Sequence, residues 1–125
     1  NEIAEYTVPI AYLYEPNAAI LKTGAFNSVS TQLNIPKLHK HSHLYTSNTL
    51  IDFPGRRFKI EKSIPFNKKI FAKEKISKAN VTTRNFPISV GEIRKKLKIK
   101  DGGDIYLFFT TDLNNIKIIL VCFKA

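Results

Sequence analysis

Apolar residues along this chain follow two different repeats, and the changes between them mark its elements. Residues 56–64 alternate. Phe58, Ile60, Lys62 and Ile64 fall on one side, and Arg57, Lys59, Glu61 and Ser63 on the other, which predicts a half-buried strand. Residues 105–111 and 116–123 are apolar on both faces, as strands inside a covered sheet are. Asp112-Leu113-Asn114-Asn115 between them predicts a C-terminal β-hairpin. Weaker β character lies at 10–14, 43–46, Leu50-Ile51 and 79–85, and Pro54-Gly55 marks a turn.

Helical signals are fewer. Glu15-Pro16 reads as a helix start, since proline suits the first helical position and an acid there complements the helix dipole. That helix runs through Ala18, Ala19, Ile20 and Leu21 and stops at Gly24. A second short one covers 26–33, before Pro36. Ser89-Val90-Gly91-Glu92 is a capping box. The helix behind it reaches Leu97 or Lys98, with Val90, Ile93 and Leu97 on one stripe and Lys95 opposite. Residues 67–76 fit a helical turn or a mobile loop. Asp101-Gly102-Gly103-Asp104 is a turn. Together these predict one α+β domain with a mixed or antiparallel sheet and about three helices.

Composition narrows the class. The chain has 125 residues, one domain's worth, and 43% of them are hydrophobic, enough to form a core. No apolar run is long enough to cross a bilayer as a helix. One cysteine excludes a disulfide framework and suits a reducing compartment, here the cytoplasm. The first residue is Asn1 and no signal peptide is visible, so the expectation is a fragment of a longer protein.

Charge changes the picture more. The net charge is +10, and residues 56–100 carry fifteen of the twenty Lys and Arg with only Glu61, Glu74 and Glu92 against them. That segment is +12 and the rest of the chain −2. Such a basic middle suits an anionic partner, and phosphate backbone is the anion that rewards it most. Arg56-Arg57 follows the Pro54-Gly55 turn, and Arg84-Asn85 precedes Phe86-Pro87, so these guanidiniums sit at junctions. Arg forks fit phosphates and base edges, and equally salt bridges or carbonyl caps. Arg56, Arg57, Lys59, Arg84, Lys95 and Lys98 are the candidate nucleic-acid contacts.

No catalytic motif is present. Gly102-Gly103, the only glycine doublet, falls in a helix-to-strand turn, whereas phosphate and dinucleotide loops lead from a strand into a helix. No Gly-rich turn for S-adenosylmethionine follows the first strand. His39, His41 and His43 would share a strand face, but the remaining metal ligands and their supporting partners are missing, so no metal site is assigned. Cys122 lies in an apolar strand, where cysteine is a small core residue. Tyr12, Tyr14 and Tyr45 could stack on bases, and packing in the core is the stronger reading.

Four spaced blocks carry a resemblance. YLYEPNAAILKTGAF (12–26), HLYTS (43–47), FPGRRF (53–58) and NVTTRNFPISVGEIRKKLKIKDGGDIYLF (80–108) resemble the THUMP-like C-terminal domain of a group of bacterial class I S-adenosylmethionine-dependent methyltransferases. The resemblance spans 12–125 and makes residues 1–11 a linker. It implies a methyltransferase domain upstream, often with a small ferredoxin-like module between, both expected to be missing from this chain. It also implies an RNA partner, tRNA or rRNA, because THUMP domains present RNA to a fused modifying enzyme. The expectation is therefore an RNA-binding accessory domain. It would not be catalytic alone, and the parent methyltransferase would hold the cofactor. The alternative is a packing module that completes the methyltransferase domain without touching RNA.

Overall fold

The computed structural model describes residues 5–17, 33 and 35–125. Six strands form one sheet: β1 (Tyr12–Pro16), β2 (Tyr45–Ser47), β3 (Gly55–Pro65), β4 (Asn80–Arg84), β5 (Tyr106–Thr111) and β6 (Lys117–Lys124). Their order across the sheet is β2-β1-β3-β6-β5-β4. Every neighbouring pair is antiparallel except β4 and β5, so the sheet is mixed. Among the described residues there are two helices, α1 (Lys68–Ala72) and α2 (Val90–Leu97), where about three were expected. The helix expected over 26–33, apart from its helical last residue Leu33, and most of the one expected from Glu15 to Gly24, lie outside the described residues.

α1 settles the ambiguity of 67–76: Asn67 Oδ1 accepts the Ile70 amide at 3.0 Å and caps it. α2 begins where the capping box places it, with Ser89 Oγ accepting the Glu92 amide at 3.2 Å. The Glu92 carboxylate differs from expectation by accepting from the Ser89 hydroxyl. The helix ends at Lys98, whose backbone is left-handed. Because β4 and β5 run parallel, a crossover must join them, and α2 is that crossover.

Both faces of the sheet are covered. Phe71 of α1 and Ile93 and Leu97 of α2 pack on Leu107, Phe109, Ile119 and Val121. On the other face Leu38 and Leu44 cover Leu13, Phe58, Phe108, Leu120 and Cys122. This is why β5 and β6 are apolar on both sides.

Two expectations are corrected. Glu15 and Pro16 do not start a helix; they end β1, paired with Arg56 and Gly55. The reason is a buried ion pair, described below, that holds Glu15 in the sheet. In β3 the alternating series is also split. The register with β6 shifts between Ile60 and Lys62, leaving Glu61 as the extra residue of a bulge. Phe58 and Ile60 therefore join the Leu38 face, and Ile64 joins the helical face.

Gly55 is a tight point of the fold. A Cβ there would lie 2.0 Å from the Glu15 carbonyl oxygen and 3.0 Å from the Asn17 amide nitrogen, both backbone atoms that cannot step aside. Gly55→Ala is expected to destabilise the chain by about 1–3 kcal/mol or more, read as a lowered midpoint in urea unfolding. An unchanged midpoint would contradict this close approach.

Candidate nucleic-acid interface

The six candidate contacts divide into two groups. Arg56 and Arg84 converge on one carboxylate. Arg56 Nε donates to Glu15 Oε1 at 2.6 Å, and Arg84 Nη2 donates to Glu15 Oε2. The Glu15 side chain is only 9% exposed, against 47% for Arg56 and 29% for Arg84. Arg56 also lies over the Phe58 and Tyr106 rings, at 5.1 and 5.9 Å from their centres. Arg57 donates from Nη1 to the Ile51 carbonyl at 3.1 Å. Arg56 and Arg84 thus hold strands of the sheet to one another and Arg57 ties β3 to the loop before it, roles the sequence left open beside phosphate contact.

The lysines are placed differently. Lys59 is exposed, its Nζ 5.6 Å from the Tyr12 ring centre. Lys95 and Lys98 stand exposed on and beside α2. They share the helical layer with exposed Lys68 and Lys69 of α1, Lys73 just after it, and Lys96. Lys62 of β3 pairs with Glu74. Glu92 is occupied by the Ser89 hydroxyl. The outer side of the helical layer is therefore a dense positive surface with little internal neutralisation, which anions can approach without breaking contacts of the fold.

The other sequence candidates fall into place. Tyr14 and Tyr45 are buried and pack on Phe53, with ring centres 5.1 and 5.5 Å away. The Tyr14 hydroxyl bonds with Ser47 Oγ, donates to the Thr49 carbonyl and accepts the Ile51 amide. Cys122 is buried, and burial pushes its thiol up to about 12, so it stays protonated and unreactive. His39, His41 and His43 lie in and beside a turn and do not share a strand face. No cluster of three metal-ligating side chains occurs among the described residues. Gly102 and Gly103 have positive φ, and the Lys78 side chain crosses the turn, 3.1 Å from a Cβ position on Gly102. That turn leads into β5 and makes no cofactor cradle.

Sequence reasoning missed two buried charges. Glu15 read as a helix start because its partners lie 41 and 69 residues away. Lys37, 2% exposed, donates from Nζ to the Lys40 carbonyl, and burial lowers its pKa. His43 is also held below its ordinary 6.5, first by burial and then by the charges of Lys37, His41 and Arg84.

Comparison with known proteins is consistent with this architecture. A family model described as THUMP domain-like matches residues 55–124, and one described as a ferredoxin-like domain matches residues 12–54. The second match corrects the expectation that a ferredoxin-like module is missing. The boundary falls between β2 and β3, yet β1 pairs with β3, so both segments share one sheet. The crystal structure of a putative methyltransferase from Porphyromonas gingivalis W83 is 40% identical, with a TM-score of 0.92. The match covers 98% of this chain and 32% of that one, so this chain spans about a third of that protein. No curated protein matches.

Two outcomes test the electrostatics. Glu15→Ala is expected to cost about 1–3 kcal/mol, less than a fully buried pair because both guanidiniums reach solvent; a urea midpoint equal to wild type would contradict the clamp. His43 binds its proton more weakly folded than unfolded. Stability is therefore expected to hold above pH 6.5 and to fall as the pH drops below it. His43→Asn, which tolerates the left-handed backbone at this site, should remove that part of the slope, and an identical slope would contradict the assignment.

Proposed function

The chain belongs to the THUMP domain-like family, and from that premise we propose that it is an RNA-binding accessory domain of an S-adenosylmethionine-dependent RNA methyltransferase. The catalytic domain of the parent binds the cofactor and transfers the methyl group in the cytoplasm. This chain supplies affinity for tRNA or rRNA and sets where the RNA lies.

The observation that carries the reading is the lysine surface of the helical layer. Lys95 and Lys98 lead the contacts, and exposed Lys59 on β3 is a further candidate. Arg56, Arg57 and Arg84 act through the sheet they hold, and Arg56 and Arg84 keep enough exposure to touch a phosphate as well. Contacts of this kind read backbone charge and carry no base specificity.

A second reading has its own observation. Tyr6, Val8, Leu113 and Ile116 are exposed apolar side chains, which suit docking on the methyltransferase domain. As a packing module of that kind, the chain would have no RNA affinity of its own.

Titration against bulk tRNA and a duplex DNA control separates the two. Binding is expected to be micromolar or weaker, to prefer RNA, and to fall at least about tenfold between 50 and 200 mM salt. Joint Lys95→Glu and Lys98→Glu should weaken it several-fold and flatten the salt dependence, with the urea midpoint unchanged. No tRNA binding at low salt would reject RNA recognition by this chain and favour the packing module.

A further inference from the structure

The turn at 39–43, the residue after β4 and the tip of the β5–β6 hairpin meet at one end of the sheet. It is the end where the parallel strands finish, β4 at Arg84 and β5 at Thr111. In α/β sheets ligands bind outside the carboxyl ends of parallel strands.

A backbone donor determines the bonding there. The His41 amide donates to His39 Nδ1 at 2.9 Å, so that nitrogen is an acceptor and carries no proton. The proton is then on His39 Nε2, which donates to Asn115 Oδ1 at 2.9 Å. Asn85 Nδ2 donates to the same Nδ1 at 3.2 Å. Both amides are thereby oriented. Asn115 keeps its Nδ2 donor and Asn85 its Oδ1 acceptor, neither bonded to another described residue.

The backbone supports this arrangement. Asn85 and Asn115 both have left-handed φ, 53° and 61°. The Thr111 hydroxyl pins Asn85 by donating to its carbonyl at 2.7 Å, and Ser42 Oγ donates to the Thr111 carbonyl at 2.7 Å. Asparagine is among the few residues that visit this conformation routinely, and at Asn85 it holds the side chain toward His39.

A depression lies on either side of the Asn85–His39–Asn115 chain. One, of about 250 Å³, is lined by Tyr6, His39, Lys40, Leu113 and Asn115. The other is lined by Asn85, Phe86, Pro87, Thr111 and Lys117. The first is smaller than the roughly 300–1,000 Å³ of sites for drug-sized ligands and suits one ring system. Tyr6, 43% exposed, and Leu113 give it apolar contact, and Lys40 and Lys117 flank the chain with positive charge. A nucleotide offers a flat ring, donors and acceptors on its edge and an anion beside it. Pairing hides that edge, so the fitting nucleotide is unpaired.

We propose that the Asn85–His39–Asn115 chain, with Tyr6, holds an unpaired nucleobase of a single-stranded RNA segment. The inference rests on the RNA-binding reading and names the part of the RNA that is recognised. Its residues are not the helical-layer lysines, so substitutions separate the two contributions in experiment.

The 125-residue chain is titrated with fluorescein-labelled octaadenylate, a 12-base-pair RNA duplex and adenosine monophosphate. Octaadenylate is expected to bind at least tenfold tighter than the mononucleotide and to shift the side-chain amide NMR signals of Asn85 and Asn115. Tyr6→Ala and Asn115→Gly, the latter keeping the left-handed backbone, should each weaken octaadenylate at least about fivefold. Duplex affinity should stay within twofold. Unchanged octaadenylate affinity in both variants, NMR shifts confined to the helical layer, or a mononucleotide that binds as tightly as the octamer would each overturn the proposal. Octaadenylate binding that survives these variants and fails in the joint Lys95→Glu and Lys98→Glu variant overturns this proposal alone. Absence of binding to every RNA overturns it together with the RNA reading.

Discussion

One carboxylate orders this sheet. Glu15 comes from β1 and takes guanidiniums from β3 and from the last residue of β4. A carboxylate buried to this extent carries a desolvation cost of several kcal/mol that only close charged partners offset. Both partners are supplied by the segment matched as THUMP-like, while Glu15 belongs to the segment matched as ferredoxin-like. The buried Glu15 carboxylate is thus paired across the boundary between the two matched segments. The backbone approach at Gly55, beside Glu15 itself, reinforces the same junction.

That constraint divides the basic residues by chemistry. Arginine, with a planar fork and weaker hydration, suits buried ion pairs and carbonyl contacts. Arg56, Arg57, Arg84 and Arg94 all bond within the fold. In the basic segment, lysines, compact and strongly hydrated, stand exposed on α1 and α2. The +12 segment is therefore two populations, one holding the sheet and one facing solvent. Only the second can change partners without loss of structure.

What was legible in the sequence was local. The β5–β6 hairpin follows from two apolar runs and a turn between them, and α2 from a capping box and an apolar stripe. The resemblance of the four blocks identified the family for the same reason, since it rests on contiguous residues. What was not legible depends on distant partners. The Glu61 bulge is set by pairing with β6, so local alternation placed Ile64 on the wrong face. Glu15-Pro16 carries a true helix-start pattern, overridden by partners 41 and 69 residues away. The His39 turn suggested a strand face of histidines, but its bonds run to Asn85 and Asn115, 46 and 76 residues on. Candidate contacts chosen by charge density alone thus mixed arginines that brace the sheet with lysines that face outward.

The central claim is this division of labour, and lysine-reactivity footprinting tests it most directly. Acetylation of the chain, followed by mass spectrometry, is compared with and without excess tRNA at low salt. The account predicts protection at Lys68, Lys69, Lys95, Lys96 and Lys98, lost again when salt is raised. Helical-layer lysines that react equally with and without tRNA would contradict it.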